Sequence, residues 1–519
     1  MVASAVVVGA ASVRMWPEIR HQVANVASAV HAGATPSSTI VRGQSMSEAM
    51  AQQLGRPSAE TGAVWRNHAA VILAAGRSER MMGATNGGSK ALLRVSGIPL
   101  VERAVRRLLA LGMDDVLVVV GDNAGPVSTF VEGIAPGRVS AVYAADWEQG
   151  NGASLAAAEL HVAEAPLFLC VTVDHVFGQG ALDQLVAARH PAALVDPAPS
   201  LEVWAEGTRV RLHEEHAVAF SKSLDEPAVD CGAFLLPPAV FEAQREAARL
   251  GDHSLAGAIT LLAARRPLMA LPLPDGAWWV DLDTPADVRS VQRALRRSLS
   301  KASDGYVARY INRPLSTRAS IAIARLRPHP DVISSIAFLI GVAAAVLLWT
   351  GRGTAAAIVV MLASVVDGMD GELARLQHRA RPEGALLDGV FDRLSDAAVT
   401  AGLAGWALSA GQITPSGAIL LAVAATAVSL LSMATKDRIS ALGLPAAPEA
   451  RLNLLLGGRD GRLLMVALAA LAGRPLWGLA AIVITGGLSL LLRLTFVLKG
   501  ASRRRHAGTD DRSGQPTDA

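Results

Sequence analysis

Four aspartates between two long apolar runs constrain this chain more than any other feature of its sequence. The stretch DGMDGELARLQHRARPEGALLDGVFD contains Asp367, Asp370, Asp388 and Asp392. Apolar runs precede it at 355–366 and follow it at 397–410. Carboxylates beside a bilayer core are costly unless cations or a water-filled cavity accompany them. The sequence therefore predicts that these aspartates line an internal site of a membrane domain.

The spacing of the aspartates predicts two acidic helix faces. Asp367 and Asp370 are three residues apart, and Asp388 and Asp392 are four apart, so each pair projects from one face of a helix. Two such faces turned toward each other form an all-oxygen cage suited to Mg²⁺ or Mn²⁺. A solvated acidic loop is the alternative, but a loop needs neither this phasing nor glycines beside the acids.

The stretch fits the pattern DxxDGxxAR, eight residues, GxxxDxxxD, and so resembles the signature of the CDP-alcohol phosphotransferase family. This family joins an alcohol to the phosphate of a CDP-linked donor and releases CMP. The resemblance implies that Asp367, Asp370 and Asp388 hold two metal ions on the donor diphosphate. Asp392 would share a metal and act as general base. The residues expected at the nucleotide are Gly371, Ala374, Arg375 and Gly384.

Two residues near this signature have open roles. Arg375 is expected either to contact the phosphates or to pair with one of the aspartates. Asp396 extends the face of Asp388 and Asp392 by another turn, although the family pattern does not require it. Phosphoryl transfer needs charge neutralisation and an aligned nucleophile more than covalent help, so this set of residues suits that chemistry.

Composition divides the chain into a soluble part and a membrane part. Hydrophobic residues make up 51% of the 519 residues and charged residues 18%, yet the apolar runs are confined to the last third. The net charge of +3 does not indicate a nucleic-acid partner. Cys170 and Cys231 lie in apolar, strand-like segments and are expected to be buried thiols of a reducing compartment.

Residues 332–500 are expected to form an all-α transmembrane domain of six helices. The six apolar segments lie near 332–350, 353–368, 386–410, 415–434, 462–473 and 476–498. Basic residues follow the fourth and sixth segments, so the positive-inside rule places the soluble domain and both termini in the cytoplasm. We expect a multi-pass protein of the cytoplasmic (inner) membrane and a homodimer formed through this domain.

Three segments outside the two domains differ in character. Residues 1–68 show no sustained period and are expected to be a weakly ordered extension. Residues 299–331 are basic and amphipathic, which predicts an interfacial helix held by anionic lipids. A second interpretation, compatible with lipid binding, is that this helix also contacts the phosphates of the substrate. Residues 501–519 are expected to be a disordered cytoplasmic tail.

Residues 69–298 alternate strand and helix patterns and predict a Rossmann-like α/β domain with a parallel sheet. Apolar, strand-like runs begin at Ala70, at Val116 and at Leu167, and a helical stretch from about 100 to 111 separates the first two. Ligands of such sheets bind at the carboxyl ends of the strands, where the sequences AAGRS and DH fall.

The loop LAAGRSERM at 73–81, with a lysine after it, resembles the signature of the nucleotidyltransferase superfamily. The resemblance implies that a backbone cradle binds a triphosphate and that Arg80 and Lys90 supply catalytic positive charge. Two positions depart from the pattern, because Ser78 replaces the second glycine and Ser89 replaces the proline before the lysine. The cradle consists of Leu73, Ala74, Ala75 and Gly76.

Four later segments match the same superfamily in order. The segment with Asn151 and Gly152 resembles its base- and sugar-contacting region, and Asp174 and Asp283 resemble its metal-binding aspartates. The segment around Gly232 resembles its substrate-binding glycine region. Any one of these aspartates alone is as well explained by a helix cap. The ordered set favours an active transferase.

The order of the domains predicts a two-step pathway in which CTP and an alcohol phosphate give a CDP-alcohol, whose phospho-alcohol is then transferred to a second hydroxyl. Over residues 70–498 this fusion resembles the bifunctional enzymes that join an inositol-1-phosphate cytidylyltransferase to a di-myo-inositol-phosphate-phosphate synthase. The resemblance implies CDP-inositol as intermediate and an inositol phosphate as acceptor. Candidates for holding the acceptor phosphate are Arg438, Arg459 and Arg462, with membrane anchoring as the alternative.

Two alternative functions remain open. One is a related pair of activities on another polyol phosphate with a lipid as the acceptor. The other is a phospholipid synthase that carries a non-catalytic nucleotidyltransferase-like module. The joint presence of Arg80, Lys90, Asp174 and Asp283 argues against the second alternative.

Overall fold

The computed structural model describes residues 69–77, 79–81, 85, 88–300, 304–442, 444 and 458–510. Three sequence predictions fall wholly or partly outside this described part: the extension at 1–68, the effect of Ser78, and the tail at 501–519 from residue 511 onward. Residues 501–510 of the predicted disordered tail are helical instead. Residues 69–298 contain all of the strands described below, and the residues from 304 onward are helical.

The α/β part is built on one large sheet and two small ones. The strands are Ala69–Ala74 (β1), Arg94–Val95 (β2), Ile98–Pro99 (β3), Asp115–Val120 (β4), Val139–Tyr143 (β5), Phe168–Thr172 (β6), His175–Phe177 (β7), Ala192–Asp196 (β8), Arg209–His213 (β9), His216–Ser221 (β10), Val229–Leu236 (β11), Leu268–Pro272 (β12) and Trp279–Asp281 (β13). Among the described residues the large sheet has the order β5-β4-β1-β6-β11-β8-β12-β10-β9. β2 pairs with β3, and β7 pairs with β13.

The large sheet is mixed, whereas the sequence predicts a parallel one. β5, β4, β1 and β6 are parallel, but β11 runs antiparallel to both β6 and β8. The parallel half carries the candidate site. Leu73 pairs with Val119 on one side and Thr172 on the other, so the carboxyl ends of three strands lie side by side.

Helices cover both faces of the large sheet. They are Leu100–Ala110 (α1), Ala124–Glu132 (α2), Asn151–Ala156 (α3), Glu159–Val162 (α4), Asp183–Ala187 (α5), Leu201–Glu206 (α6), Ala239–Arg249 (α7), Leu255–Arg265 (α8) and Pro285–Ser298 (α9). Side chains of β1 alternate between two cores: Ile72 packs with residues of α1, and Val71 packs with residues of α7 and α8. This alternation is expected for a strand buried on both faces.

The helical part contains Arg313–Ile323 (α10), Pro330–Trp349 (α11), Gly353–Leu376 (α12), Pro382–Ser409 (α13), Pro415–Ala441 (α14), Arg459–Leu471 (α15) and Pro475–Asp510 (α16). Within the described ranges, α11, α12, α14 and residues 475–499 of α16 are long and apolar enough to cross a membrane. The other two predicted spans, α13 and α15, are not among these four helices. α13 carries several acids, and α15 has only 13 residues. The domain is therefore helical with four candidate spans.

The two parts of the chain contact each other directly. The Arg103 guanidinium on α1 donates to the carbonyl of Leu376 at the end of α12, at 3.5 Å. The Arg375 guanidinium donates to the carbonyl of Leu299 just after α9, at 3.2 Å. The basic segment before the first span also packs inward, since Arg313 lies 2.6 Å from Glu372, a fully buried acid on α12.

Candidate active sites

A cavity of about 640 Å³ opens at the carboxyl ends of β1 and β6. Nine of the residues predicted from the sequence line it: Leu73, Ala74, Ala75, Gly76, Arg80, Lys90, Asn151, Asp174 and Asp283. These residues come from distant parts of the chain, and the sheet brings them together. The cavity is large enough for a nucleotide-sized ligand.

Lys90 is the central cation of this cavity. Its ammonium nitrogen lies 3.2 Å from Asp174 Oδ2 and 2.8 Å from Asp283 Oδ1, and its side chain is 8% exposed. Burial by itself lowers the pKa of Lys90, but the charges of Asp174 and Asp283 outweigh burial and leave it raised. Lys90 is therefore a stable positive charge held between two carboxylates. Arg80, which is exposed, lies 3.7 Å from the other oxygen of Asp283.

Local structure fixes the positions of Lys90 and Asp283. Lys90 begins a short helical turn that Ser89 caps, because the Ser89 hydroxyl accepts from the Ala91 amide at 3.2 Å. The φ of Ser89 is −63°, the value that proline would impose. Serine at this position therefore has the same backbone φ as the proline of the superfamily signature. Asp283 lies just before Thr284, the N-cap of α9, where Thr284 and Asp287 form a capping box.

Asp174 is also bound to the residue that follows it. The His175 ring nitrogen Nδ1 lies 3.0 Å from Asp174 and 2.6 Å from the Thr172 hydroxyl. Burial alone lowers the pKa of His175, but Asp281 and Asp174 outweigh burial and raise it to about 9. Burial and the nearby acids raise the pKa of Asp281 to about 6. The ligand atoms of Asp174, His175 and Asp281 lie within 4.8 Å of one another, a group that could hold a metal ion.

The start of α3 is fixed by close backbone contacts. The side-chain oxygen of Asn151 accepts from the Leu255 amide at 2.8 Å, and the Gly152 amide donates to the His253 carbonyl at 3.0 Å. A Cβ atom on Gly152 would lie 2.6 Å from the carbonyl oxygens of His253 and Ser254. Position 152 therefore requires glycine.

The second candidate site lies between α12 and α13, where the two predicted acidic faces meet. Carboxylate oxygens of Asp367, Asp388 and Asp392 lie within 4.8 Å of one another and could hold a metal ion. The Asp370 side chain hydrogen-bonds with that of Asp388. It also contacts α11, where the Ser334 hydroxyl donates to its Oδ2 at 2.5 Å. The all-oxygen donor set fits a hard divalent cation.

Arg459 is the cation of this second site. Its Nη1 lies 2.7 Å from Asp367 and 2.8 Å from Asp392, and its Nε donates to Asp396 at 3.1 Å. One guanidinium on α15 thus contacts three carboxylates on two other helices. Such pairing compensates for the cost of burying several acids together.

The remaining predicted residues lie at different distances from the acids. Arg462 is buried next to Asp396, with its Nη2 3.8 Å from Oδ2, whereas Arg438 is exposed near the end of α14. Arg375 donates to the Leu299 carbonyl rather than to an aspartate, among the contacts described. The backbone near the acids is contributed by Gly371, Ala374 and Gly384, all partly exposed.

Sequence reasoning missed several residues that the structure places in these sites. His175 directly follows Asp174 in VTVDH, and Asp281 lies two residues before Asp283 in WWVDLDTP; that closeness in sequence was the available signal. Ser334 and Ser429 contact Asp370 and Asp396 from the apolar helices α11 and α14. A serine in an apolar run gives a weak signal, because helices carry many serines that bond only their own backbone.

Comparisons with known proteins match both parts of the chain. The MobA-like NTP transferase domain family matches residues 70–229, and the CDP-alcohol phosphatidyltransferase family matches residues 327–492. The inositol-1-phosphate CTP transferase from T. maritima, a solved structure, matches 43% of this chain and 91% of its own, with 22% identity and a TM-score of 0.40.

Two curated relatives match over both parts. A bifunctional IPC transferase and DIPP synthase from Rubrobacter xylanophilus is 36% identical over 440 residues, which cover 83% of this chain and 97% of that protein. A protein of the same name from Thermococcus kodakarensis is 31% identical, over 64% of this chain and 75% of that protein. Since one relative matches along almost its whole length and both domain families are present, this chain belongs to the family of bifunctional IPC transferase and DIPP synthase proteins.

Proposed function

We propose that this protein catalyses two successive transfer reactions on one chain. In the first, CTP and inositol 1-phosphate give CDP-inositol and pyrophosphate. In the second, a hydroxyl of an inositol phosphate takes the phosphoinositol group from CDP-inositol, and CMP is released. The observation that carries the proposal is that one chain holds two separate clusters of carboxylates around a cation, one built on Lys90 and the other on Arg459.

The first reaction is assigned to the cavity of the α/β part. A phosphate oxygen of the alcohol phosphate attacks the α-phosphorus of CTP, the bond from that phosphorus to the bridging oxygen breaks, and pyrophosphate leaves. Lys90 and Arg80 offset the negative charge of the phosphates. The backbone of residues 73–76 cradles the triphosphate, and Asn151 and Gly152 contact the base and sugar.

The second reaction is assigned to the acids between α12 and α13. The acceptor hydroxyl gives its proton to Asp392 and attacks the inositol-bound phosphorus of CDP-inositol. The bond to the bridging oxygen breaks, and CMP leaves. Gly371, Ala374, Arg375 and Gly384 form the nucleotide side of the site. The acceptor phosphate is assigned to Arg459 and Arg462, with Arg438 as the outer candidate.

Both sites have donor sets that fit Mg²⁺ or Mn²⁺. Asp174 and Asp283 would hold the metal of the first site, and the four aspartates of the signature would hold the metals of the second. When bound, the metal ions neutralise phosphate charge. Asp283 also binds Lys90, so its carboxylate would serve the lysine and the metal together.

The proposal includes a membrane location. The soluble domain is assigned to residues 69–298 and the phosphotransferase domain to 332–500, joined by the interfacial segment 299–331. We assign the two shorter or more acidic helices, α13 and α15, to the same six-helix bundle as the four candidate spans, because they pack against α11, α12 and α16. The cytoplasmic side follows from the positive-inside rule, and the protein is proposed to be a homodimer.

The test uses the full chain in lipid nanodiscs. We expect pyrophosphate release with CTP, Mg²⁺ and inositol 1-phosphate, and CMP release when preformed CDP-inositol is given inositol 1-phosphate. CMP release only with diacylglycerol would make the acceptor a lipid. CMP release from a CDP-alcohol without any pyrophosphate release in the first assay would make the α/β part a non-catalytic module.

A further inference from the structure

Asp396 lies on α13 one turn beyond Asp392 and outside the family signature. It is 9% exposed, and its two carboxylate oxygens bind different partners. Oδ1 accepts from Arg459 Nε at 3.1 Å, and Oδ2 accepts from the Ser429 hydroxyl at 2.7 Å. Arg462 Nη2 lies 3.8 Å from Oδ2 and donates to the Ser429 hydroxyl at 3.3 Å. A buried carboxylate this fully engaged has a fixed orientation.

The contacts of Arg459 show what Asp396 does for it. A guanidinium is planar, so the partner of its Nε determines where its two terminal nitrogens point. Asp396 holds Nε, and Nη1 then lies against Asp367 and Asp392. Asp396 therefore sets the direction from which Arg459 approaches the metal-binding acids.

Asp396 also offsets positive charge around Arg462. Its side chain is buried, and Arg459, Arg393 and Arg493 all repel it electrostatically. Arg493 is itself buried and donates to the Ser432 carbonyl at 2.5 Å. Asp396 attracts Arg462 in this group. Arg459 and Arg462, the two residues assigned to the acceptor phosphate, therefore both lie against this one carboxylate.

We infer that Asp396 is a positioning residue for phosphotransfer, which holds Arg459 and Arg462 beside the metal-binding acids so that they receive the phosphate of the acceptor. The inference rests on the proposed function, because it requires a phosphorylated acceptor. Asp396 repels a phosphate, so it acts through the two arginines and does not itself contact the acceptor. The specificity for a phosphorylated over an unphosphorylated acceptor then depends on this carboxylate.

The experiment compares the full-length wild-type protein with Asp396→Asn and Asp396→Glu in nanodiscs. CMP release is measured while inositol 1-phosphate and CDP-inositol are varied separately. We expect Asp396→Asn to raise the KM for inositol 1-phosphate by about tenfold or more, because a charge-assisted anchor is lost. The KM for CDP-inositol should change less than about twofold, and Asp396→Glu should restore part of the acceptor affinity. Asp437→Asn, an exposed acid on α14, is the matched control.

A merely structural role gives a different result. A lower melting temperature with both KM values unchanged, or equal rises in both KM values, would overturn the inference. Pyrophosphate release by the same preparation checks that the α/β part is folded, and the KM for CDP-inositol checks the helical part. If Asp396→Asn does not fold, Ser429→Ala keeps the charge and weakens the same anchor. That variant should raise the acceptor KM about two- to threefold, and an unchanged value would overturn the inference.

Failure of the proposed function is separately visible. A wild-type protein that releases no CMP with inositol 1-phosphate would remove both the proposed acceptor and this role of Asp396. An active wild type with an equally active Asp396→Asn variant would overturn the role of Asp396 alone.

Discussion

The two candidate sites share one arrangement, a cation held between carboxylates, but the chain builds it in two different ways. In the α/β part, Lys90 on a short turn meets Asp174 and Asp283, which follow two separate strands. In the helical part, Arg459 meets Asp367 and Asp392, which project from two neighbouring helices. The first site joins residues from distant segments, and the acids of the second lie close together in the sequence.

The two sites also differ in how far they are exposed to solvent. The first site opens into a cavity of about 640 Å³, and one of its cations, Arg80, is exposed. In the second site, Asp370, Asp392 and Asp396 are all less than one tenth exposed. Removing a charged partner costs more in the buried site, because water cannot replace it there. Because Lys90 and Arg459 contact different carboxylates, we expect a substitution in one site to spare the other.

The largest effect is expected for Asp392→Asn. The amide cannot take the proton of the acceptor hydroxyl, so the kcat of CMP release should fall by about 10²–10⁴-fold. Pyrophosphate release by the α/β part should stay within about twofold of wild type. Both activities are measured on one preparation in nanodiscs. Loss of both would show that the two sites are not independent, which would break the comparison.

The second largest effect is expected for Lys90→Ala, which should lower the other activity, pyrophosphate release. Removal of the ammonium group leaves Asp174 and Asp283 facing each other without their shared cation and removes charge from the triphosphate site. Pyrophosphate release should fall by about 10²–10³-fold. CMP release from preformed CDP-inositol should be unchanged. Lys436→Ala, at an exposed lysine of α14, serves as the control. Unchanged pyrophosphate release in Lys90→Ala would remove the role assigned to this lysine.

Smaller effects are expected at two glycines of the first site, and they should differ between melting temperature and KM. An added methyl at Gly152 meets two backbone carbonyls, so Gly152→Ala should lower both the melting temperature and pyrophosphate release, through an overpacking cost of about 1–3 kcal/mol. Gly76 has open space around it. Gly76→Ala should leave the melting temperature unchanged and raise only the KM for CTP, by several-fold.

The pair of glycine variants separates a folding role from a binding role. Thermal unfolding and CTP titration on both variants provide the measurement. An unchanged KM for CTP in Gly76→Ala would mean that the nucleotide does not approach this part of the loop. A wild-type melting temperature in Gly152→Ala would mean that the segment around His253 shifts at little cost.

The helical site was the more predictable of the two from sequence. Its four aspartates fall within one stretch at helical spacing, and helix phase alone brings Asp388 and Asp392 to one face. The sequence could not show that Arg459 contacts both Asp367 and Asp392, because this pairing depends on how α15 packs. It also left the partner of Arg375 open, and the structure pairs Arg375 with the Leu299 carbonyl, just after α9.

In the α/β part, strand positions were predictable and strand directions were not. The runs beginning at Ala70 and Val116 form β1 and β4 as expected, since buried apolar runs are a local signal. The direction of β11 is set by the connections that bring it between β6 and β8, which no local pattern encodes. The contact of Lys90 with Asp283 has the same origin, because it joins residues that only the folded sheet brings together.

The smallest effect is expected at His378, where the two parts of the chain meet. His378 lies in the turn after α12, and together with Arg103, Arg107 and His175 it lines a cavity of about 20 Å³, enough for one water molecule. Burial and, to a smaller extent, the neighbouring arginines together lower the pKa of His378 to about 3. Below the ordinary histidine pKa of about 6.5, His378 therefore binds a proton in the unfolded chain but not in the folded one.

This difference makes stability depend on pH in a defined direction. The stabilising contribution is present above pH 6.5 and is lost as the pH falls below it, by about 2 kcal/mol at pH 5. His378→Asn removes the titration and suits the backbone, because φ is +49° and asparagine tolerates that conformation. The melting temperature of wild type should fall more between pH 7 and pH 5 than that of His378→Asn, whereas His329→Asn, at a half-exposed histidine, should behave like wild type. Equal slopes for wild type and His378→Asn would show that protons reach His378 in the folded protein, and that the contact between the two parts of the chain opens readily to water.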